Sequence, residues 1–190
     1  MPDVSERKRT RRPTKQELAA AAGKRIPDVI APGLRVLFCG INPGLYSGAV
    51  GHHFARPGNR FWKVLHRAGF TDHELSPFED QKLLDAGVGV TNLVNRTTAT
   101  AAELDPAELQ RGASRLARKV GRYRPELVAF AGMGAYRTAF RRPRAALGRQ
   151  PQALSGAGVW LLPNPSGAQA AYQLDDLVRA YRALRRAVAR

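Results

Sequence analysis

Four short apolar runs recur along the chain: "RVLFCGI" (35–41), "GVGVTNLV" (87–94), "ELVAFAGM" (126–133) and "GVWLLPN" (158–164). Each is apolar on both alternating faces and bounded by turn residues, which is the pattern of a strand covered on both sides in a parallel sheet. The intervening segments carry helical spacing. They read "NRFWKVLHRAGF", "SPFEDQKLLDAG" and "DPAELQRGASRLARKVGRY". Ser76 with Glu79 three residues on, and Pro77 at the first turn, marks one helix start; Asp105-Pro106 marks the next. A last helix near 172–189 places Leu174, Leu177, Val178, Tyr181, Leu184 and Val188 at core spacing, with Arg179, Arg182, Arg186 and Arg190 mostly on the other side. Strands alternating with helices predict an α/β fold in which about four parallel strands carry helices on both faces.

The length of 190 residues with 44% hydrophobic content fits one domain with its own core. Charge changes the picture most. The 31 Lys and Arg against 15 Asp and Glu give a formal net charge of +16, which points to a polyanionic partner, nucleic acid first and an anionic membrane surface as the alternative. Arg7, Lys8, Arg9, Arg11, Arg12 and Lys15 crowd the N-terminus, so residues 1–25 are read as a flexible basic arm and 26–190 as the domain. A short helix, "PTKQELAAAAG", is expected within that arm. No run is long and apolar enough for a membrane span or a secretory signal, and the expectation is a soluble, cytoplasmic protein with no membrane partner. Cys39 is the single cysteine and is read as a small core residue, which leaves no disulfide framework and no multi-cysteine metal site within one chain.

Ligands of such a sheet bind beyond the carboxyl ends of the strands. The groups expected there are Asn42 after the first strand, Asn92 and Asn95 at the second, Gly132-Met133-Gly134 after the third, and Asn164 with Ser166 after the fourth. This is a set rich in amides and poor in carboxylates. No phosphate-binding glycine loop ending in Lys-Ser/Thr is present and no GxGxxG follows a strand, so nucleotide hydrolysis and dinucleotide redox chemistry lose their usual support. His52 and His53 are adjacent and do not share one metal; one of them is a candidate for lining the site. An asparagine orients a water through its oxygen or donates from its amino group, yet it is no general base. The chemistry it suits has a leaving group whose negative charge needs help, as in hydrolysis of the N-glycosidic bond to a pyrimidine.

The segments "GINPGLYSGAVGHHFARPGNRFWKVLHRAGFT" and "LPNPSGAQAAY" resemble the two signature motifs of the mismatch-specific uracil/thymine-DNA glycosylases, and "GVTNLVNRTT" resembles the segment between them. The resemblance runs from about Ile30 to the C-terminus. It implies a three-layer α/β/α fold of the uracil-DNA glycosylase type, no cofactor and no metal, and a monomer that flips uracil, in some members thymine, out of mismatched duplex DNA and hydrolyses its bond to deoxyribose. Carried over residue by residue, Asn42 positions the attacking water, the backbone at Gly44 contacts the base, Phe54 stacks on it and Asn164 completes the pocket. The insertion loop is Pro165, Ser166, Gly167, Ala168, Gln169 and Ala170. To these the residues themselves add Asn92 as a contact to base or water, His53 as a pocket residue, and Arg60 as a phosphate contact with a structural ion pair as its alternative.

The chain departs from the family at Ala168, Gln169 and Ala170, where the bacterial mismatch-specific members carry Gly-Leu-x-Arg. Less bulk is left to wedge the duplex and read the opposite guanine. Two other readings stand beside the glycosylase: a non-catalytic nucleic-acid-binding module on the same fold, and a broader deaminated-base glycosylase acting on hypoxanthine or xanthine.

Overall fold

The computed structural model describes residues 12–167 and 171–188. A single sheet runs through it, built from β1 (Val36–Gly40), β2 (Val88–Asn92), β3 (Leu127–Ala131), β4 (Gly148–Leu154) and β5 (Ala157–Leu162) in the order β2-β1-β3-β5-β4. The four predicted strands are the four that pair in parallel. A fifth, β4, was not predicted and lies antiparallel on the outer side of β5. Its sequence, "GRQPQAL", is polar and interrupted by Pro151, because one side of an edge strand needs no ladder partner and its faces are mostly exposed. The hairpin turn at Ser155-Gly156, with φ of 49° and 91°, has the two consecutive left-handed residues that tight β-hairpins use.

Consecutive residues of β1 divide between two cores, which is what a strand covered on both faces requires. Val36 and Phe38 pack with Phe61, Val64, Leu65 and the buried side of the last helix. Leu37 and Cys39 pack on the other face with Leu109, Leu116 and Val120. The first layer is formed by α3 (Phe61–Ala68) and α6 (Leu174–Val188), the second by α4 (Pro106–Tyr123) and α5 (Met133–Ala139). The result is a three-layer α/β/α fold. Leu177, Val178, Tyr181 and Leu184 are the fully buried positions of α6, while Leu174 and Val188 pack partly buried at its ends. Cys39 is 1% exposed, and burial pushes its thiol far above the ordinary range, consistent with an inert core residue.

Two helix starts fold as their residues dictate. Asp105 accepts the Glu108 amide at 2.6 Å to open α4, and Ser76 with Glu79 forms a reciprocal capping box. What Ser76 opens is nevertheless a 3₁₀ segment, Pro77–Ala86, broken at Glu79. Its buried positions, Asp80 and Leu83, follow the three-residue repeat of a 3₁₀ turn and give no wide apolar stripe for an α-helix to bury.

The short helix expected within the basic arm is present. Thr14 and Glu17 cap a five-residue helix, α1 (Lys15–Ala19). Ala21 behind it is fully buried and Gly23 donates to the Thr97 carbonyl at 2.9 Å. Ala21 is the one buried side chain between Arg12 and Arg25, so contact with the domain reaches back at least to that position. Residues 1–11 of the arm lie outside the described residues. Among the described residues no helix is long and apolar enough to cross a membrane.

Candidate active site

The chain leaves β1 and reaches β2 on one side, then passes back over β1 to β3 on the other, so the carboxyl end of β1 is the switch point of the sheet. A cavity of about 370 Å³ opens there. It lies at the small end of the roughly 300–1,000 Å³ usual for small-molecule sites. Asn42, Gly44, His53, Phe54, Asn92, Asn164 and Ser166 all line it, joined by Ser47, Arg56, Asn59 and Thr98. Asn95 and the Gly132–Gly134 turn, also placed at strand ends by sequence, are not in its lining. Among the described residues no carboxylate lines the cavity, and Arg56, an exposed residue, is the one permanently charged side chain there.

Asn42 is held by its amino group. Nδ2 donates to Thr98 Oγ1 at 2.6 Å, to the Arg96 carbonyl at 3.1 Å and to the Pro43 carbonyl at 3.2 Å. Carbonyl oxygens only accept, so the atom facing two of them has to be the nitrogen. Oδ1 is then the polar atom Asn42 offers to the cavity. Proline 43 and Gly44 turn the backbone at once into α2 (Leu45–Val50), whose start carries no side-chain cap.

Asn92 is oriented through a histidine. His53 is 2% exposed, and its Nε2 lies 2.9 Å from the Pro27 carbonyl. Nε2 therefore carries the proton, Nδ1 accepts, and Asn92 Nδ2 donates to it across 3.2 Å. Desolvation by burial is the largest influence on the imidazole and holds its pKa below the ordinary 6.5, against smaller opposing effects from the Pro27 carbonyl, Asp28 and Asp80. Asn92 Oδ1 sits against Gly40, where a Cβ would come within 2.6 Å of it and 3.3 Å of Phe54 Cζ. Glycine at the last position of β1 makes that approach possible.

The neutral His53 has a stability signature. Below about pH 6.5 an unfolded chain takes up a proton at this position that the folded chain refuses, so stability falls as pH drops through that value and is unaffected by His53 above it. His53→Gln keeps one donor for Pro27 and one acceptor for Asn92 without titrating. Its urea midpoint is expected to fall less steeply than that of the parent between about pH 6.5 and 5; equal slopes for the two proteins would show that His53 takes up its proton in the folded state.

Phe54 has a φ of 51°, uncommon outside glycine. Its ring stacks on Phe61 with centroids 4.0 Å apart and planes 21° from parallel. The Ala55 amide, donating to Ser47 Oγ at 3.1 Å, fixes the turn that follows. Asn164 accepts the Ser166 amide at 2.9 Å through Oδ1, and Asn59 accepts the Phe61 amide at 2.9 Å in the same way. Both therefore leave their amino groups as donors. Asn59 was missed in the sequence although it lies within the first motif; an Asn two residues before an apolar helix start was the available signal.

Arg60, read in the sequence as a phosphate contact or a structural ion pair, is bonded to backbone carbonyls. Its guanidinium donates to the carbonyls of Tyr172 at 2.6 Å, Ser166 at 2.9 Å and Pro165 at 3.3 Å, and its backbone amide meets Pro165 O at 3.1 Å. It thus clamps both ends of the loop that contains Ala168, Gln169 and Ala170, which themselves lie outside the described residues. Gly167 passes so close to Gly58 that a Cβ would meet its carbonyl at 2.8 Å. His52 turns away from His53 and pairs with Asp80 at 2.9 Å. Among the described residues no three metal-ligating side chains cluster.

The family model of the uracil DNA glycosylase superfamily matches residues 27–185. The chain belongs to the uracil DNA glycosylase superfamily. Membership places this uracil DNA glycosylase superfamily protein among the DNA glycosylases, hydrolases of DNA repair. Its fold is also that of a candidate uracil DNA glycosylase from Methanosarcina acetivorans solved by solution NMR, with a TM-score of 0.57 at 18% identity over 86% of this chain and 98% of that one.

Proposed function

We propose that the protein is a monofunctional, monomeric glycosylase of the mismatch-specific uracil/thymine type, acting on uracil flipped from a G·U pair in duplex DNA without metal or cofactor. The observation that carries this reading is the division of labour among the asparagines. Asn42 is locked with its oxygen left as an acceptor, while Asn59 and Asn164, which line the same cavity, have their oxygens engaged and their amino groups left as donors.

The extruded base lies on the free face of Phe54, whose other face is occupied by Phe61. A water hydrogen-bonded to Asn42 Oδ1 waits at C1′. As the C1′–N1 bond breaks, its electron pair leaves with the base, and the negative charge spreads onto the base oxygens opposite the amino groups and the uncapped start of α2. The water oxygen bonds to C1′ and loses its proton to solvent; the base anion takes one up from solvent. No general base is needed because the nucleophile attacks a sugar that already carries positive charge. The cavity's lack of carboxylates favours a departing anion over one held back by like charge.

Asn92 belongs to this set as a donor to the base or to the water. Asn92→Ala is expected to slow single-turnover excision of uracil from G·U duplex about tenfold to a hundredfold, and an unchanged rate would remove Asn92 from the mechanism.

The function is tested by single-turnover excision on G·U, A·U, G·T and single-stranded uracil substrates. Rapid cleavage of G·U is expected. No cleavage of any of the four, with tight salt-sensitive binding to DNA, would overturn the reading in favour of a binding module; preferred release of hypoxanthine or xanthine would move it to a broader glycosylase.

A further inference from the structure

From Leu127 to Leu174 the chain contains five arginines and no aspartate or glutamate. Four of the five, Arg141, Arg142, Arg144 and Arg149, fall in nine residues between α5 and the start of β4, and all four are exposed. The fifth organises them. Arg137 donates twice to the Ala145 carbonyl, at 2.6 and 2.9 Å, and so folds the segment back on α5. Arg141 is held by Gln110 at 3.0 Å. Arg142, Arg144 and Arg149 make no side-chain hydrogen bond or ion pair among the described residues, and they border a surface cavity of about 640 Å³.

The position of this segment in the fold gives the charge a meaning. Gly148 pairs with Leu161, near the carboxyl end of β5, and the β5 chain continues directly to Asn164. Gln110, which anchors Arg141, lies in the second turn of α4, whose start rises from the same edge. The arginines therefore stand on the edge of the sheet that carries the cavity. They are three strand spacings to the side of Asn42, along β1-β3-β5-β4. At about 4.8 Å per strand the offset is roughly 14 Å, the length of about four base pairs at roughly 3.4 Å each.

We infer that Arg142, Arg144 and Arg149 form a second contact tract for the phosphate backbone of duplex DNA, flanking the extruded nucleotide by about four base pairs on one side. The inference rests on the glycosylase reading for its alignment, since it is the flipped base in the cavity that fixes where the duplex lies. Guanidinium groups suit the task because their forked donors bind phosphate oxygens in pairs. The tract touches no base edge. It adds affinity without sequence preference.

The test compares the full chain with the triple variant Arg142→Gln, Arg144→Gln, Arg149→Gln, and with a charge-matched control, Arg118→Gln, Arg122→Gln, Arg124→Gln, at the C-terminal end of α4 on the opposite edge. Binding to a lesion-free duplex is followed by fluorescence anisotropy over a series of salt concentrations. The tract variant is expected to flatten the slope of log affinity against log salt by up to about 2.7, the contribution of three neutralised phosphates, and the control by much less. On a G·U duplex cropped to about two base pairs either side of the lesion the tract variant and the parent are expected to bind alike. Their single-turnover rates at saturating enzyme are expected to be equal, because none of the three lines the cavity.

An unchanged salt slope overturns the tract, as does an equal loss in the control or on the cropped duplex. A loss of binding to phosphatidylglycerol vesicles with DNA binding intact would also overturn it and assign the patch to a membrane surface. Should the parent excise no base from any substrate while the slopes behave as expected, the glycosylase reading fails and the duplex contact stands.

Discussion

Asn42→Ala is expected to lower single-turnover excision of uracil from G·U duplex by about a hundredfold to a thousandfold, the roughly 3–4 kcal/mol typical of losing one polar group that acts on the transition state. Binding of the same duplex is expected to change little, because Asn42 lies inside the cavity and makes no surface contact that a phosphate uses. Folding is expected to survive, since Thr98 Oγ1 keeps its bond to the Thr100 carbonyl at 2.8 Å, the Pro43 carbonyl keeps the Thr98 amide at 3.1 Å, and Arg96 is only half-buried. Asn42→Asp is the sharper variant. A carboxylate oxygen in place of Nδ2 faces two carbonyl oxygens that cannot donate to it, so the substitution is expected to be as damaging as alanine at neutral pH. A faster enzyme with aspartate would show that deprotonation of water limits the step and that Asn42 orients nothing. Loss of binding in parallel with excision would make Asn42 a folding or docking residue.

How much of this was legible in the sequence depends on whether a feature was local. β1, β2, β3 and β5 were visible because a strand buried on both faces is apolar throughout, and the starts of α4 and the 3₁₀ segment were visible because caps are written within four residues. β4 was not visible. An exposed edge strand carries no alternation, and only Ser155-Gly156 hinted at its hairpin. Within the site, Asn42, Phe54, Asn92 and Asn164 were each named from strand ends or motif, and the structure brings them to one cavity. What the sequence did not contain is the orientation of their amides. That is set by partners far along the chain: Arg96 and Thr98 for Asn42, Pro27 through His53 for Asn92. The carbonyl partners of Arg60 were hidden for the same reason. Its partners are more than a hundred residues away, and an arginine beside a DNA-binding motif looks like a phosphate contact until its donors are seen to be engaged.

Arg60→Ala is the substitution expected to separate the loop from the cavity. It removes charged hydrogen bonds to the carbonyls of Pro165, Ser166 and Tyr172, at a cost to stability of about 2–4 kcal/mol measured by urea unfolding. At a temperature where the variant is folded, both ends of the loop around residues 168–170 lose their fixed separation, and Asn164, whose oxygen is bonded to the Ser166 amide, loses its support. A displacement on the order of 1 Å at a positioned group is enough to slow a reaction about a hundredfold. Excision from G·U duplex is accordingly expected to fall about tenfold to a hundredfold and duplex affinity about tenfold. Single-stranded uracil is the discriminating substrate, because it needs no insertion into a base stack: the fall there is expected to be smaller, and what remains measures the damage to Asn164 alone. Arg60→Lys is not expected to rescue, since one ammonium cannot span three carbonyls that a guanidinium fork reaches. Equal losses on duplex and single strand would confine the role of Arg60 to the cavity wall. Rescue by lysine together with a flatter salt slope for the alanine variant would return it to the phosphate contact that its motif first suggested.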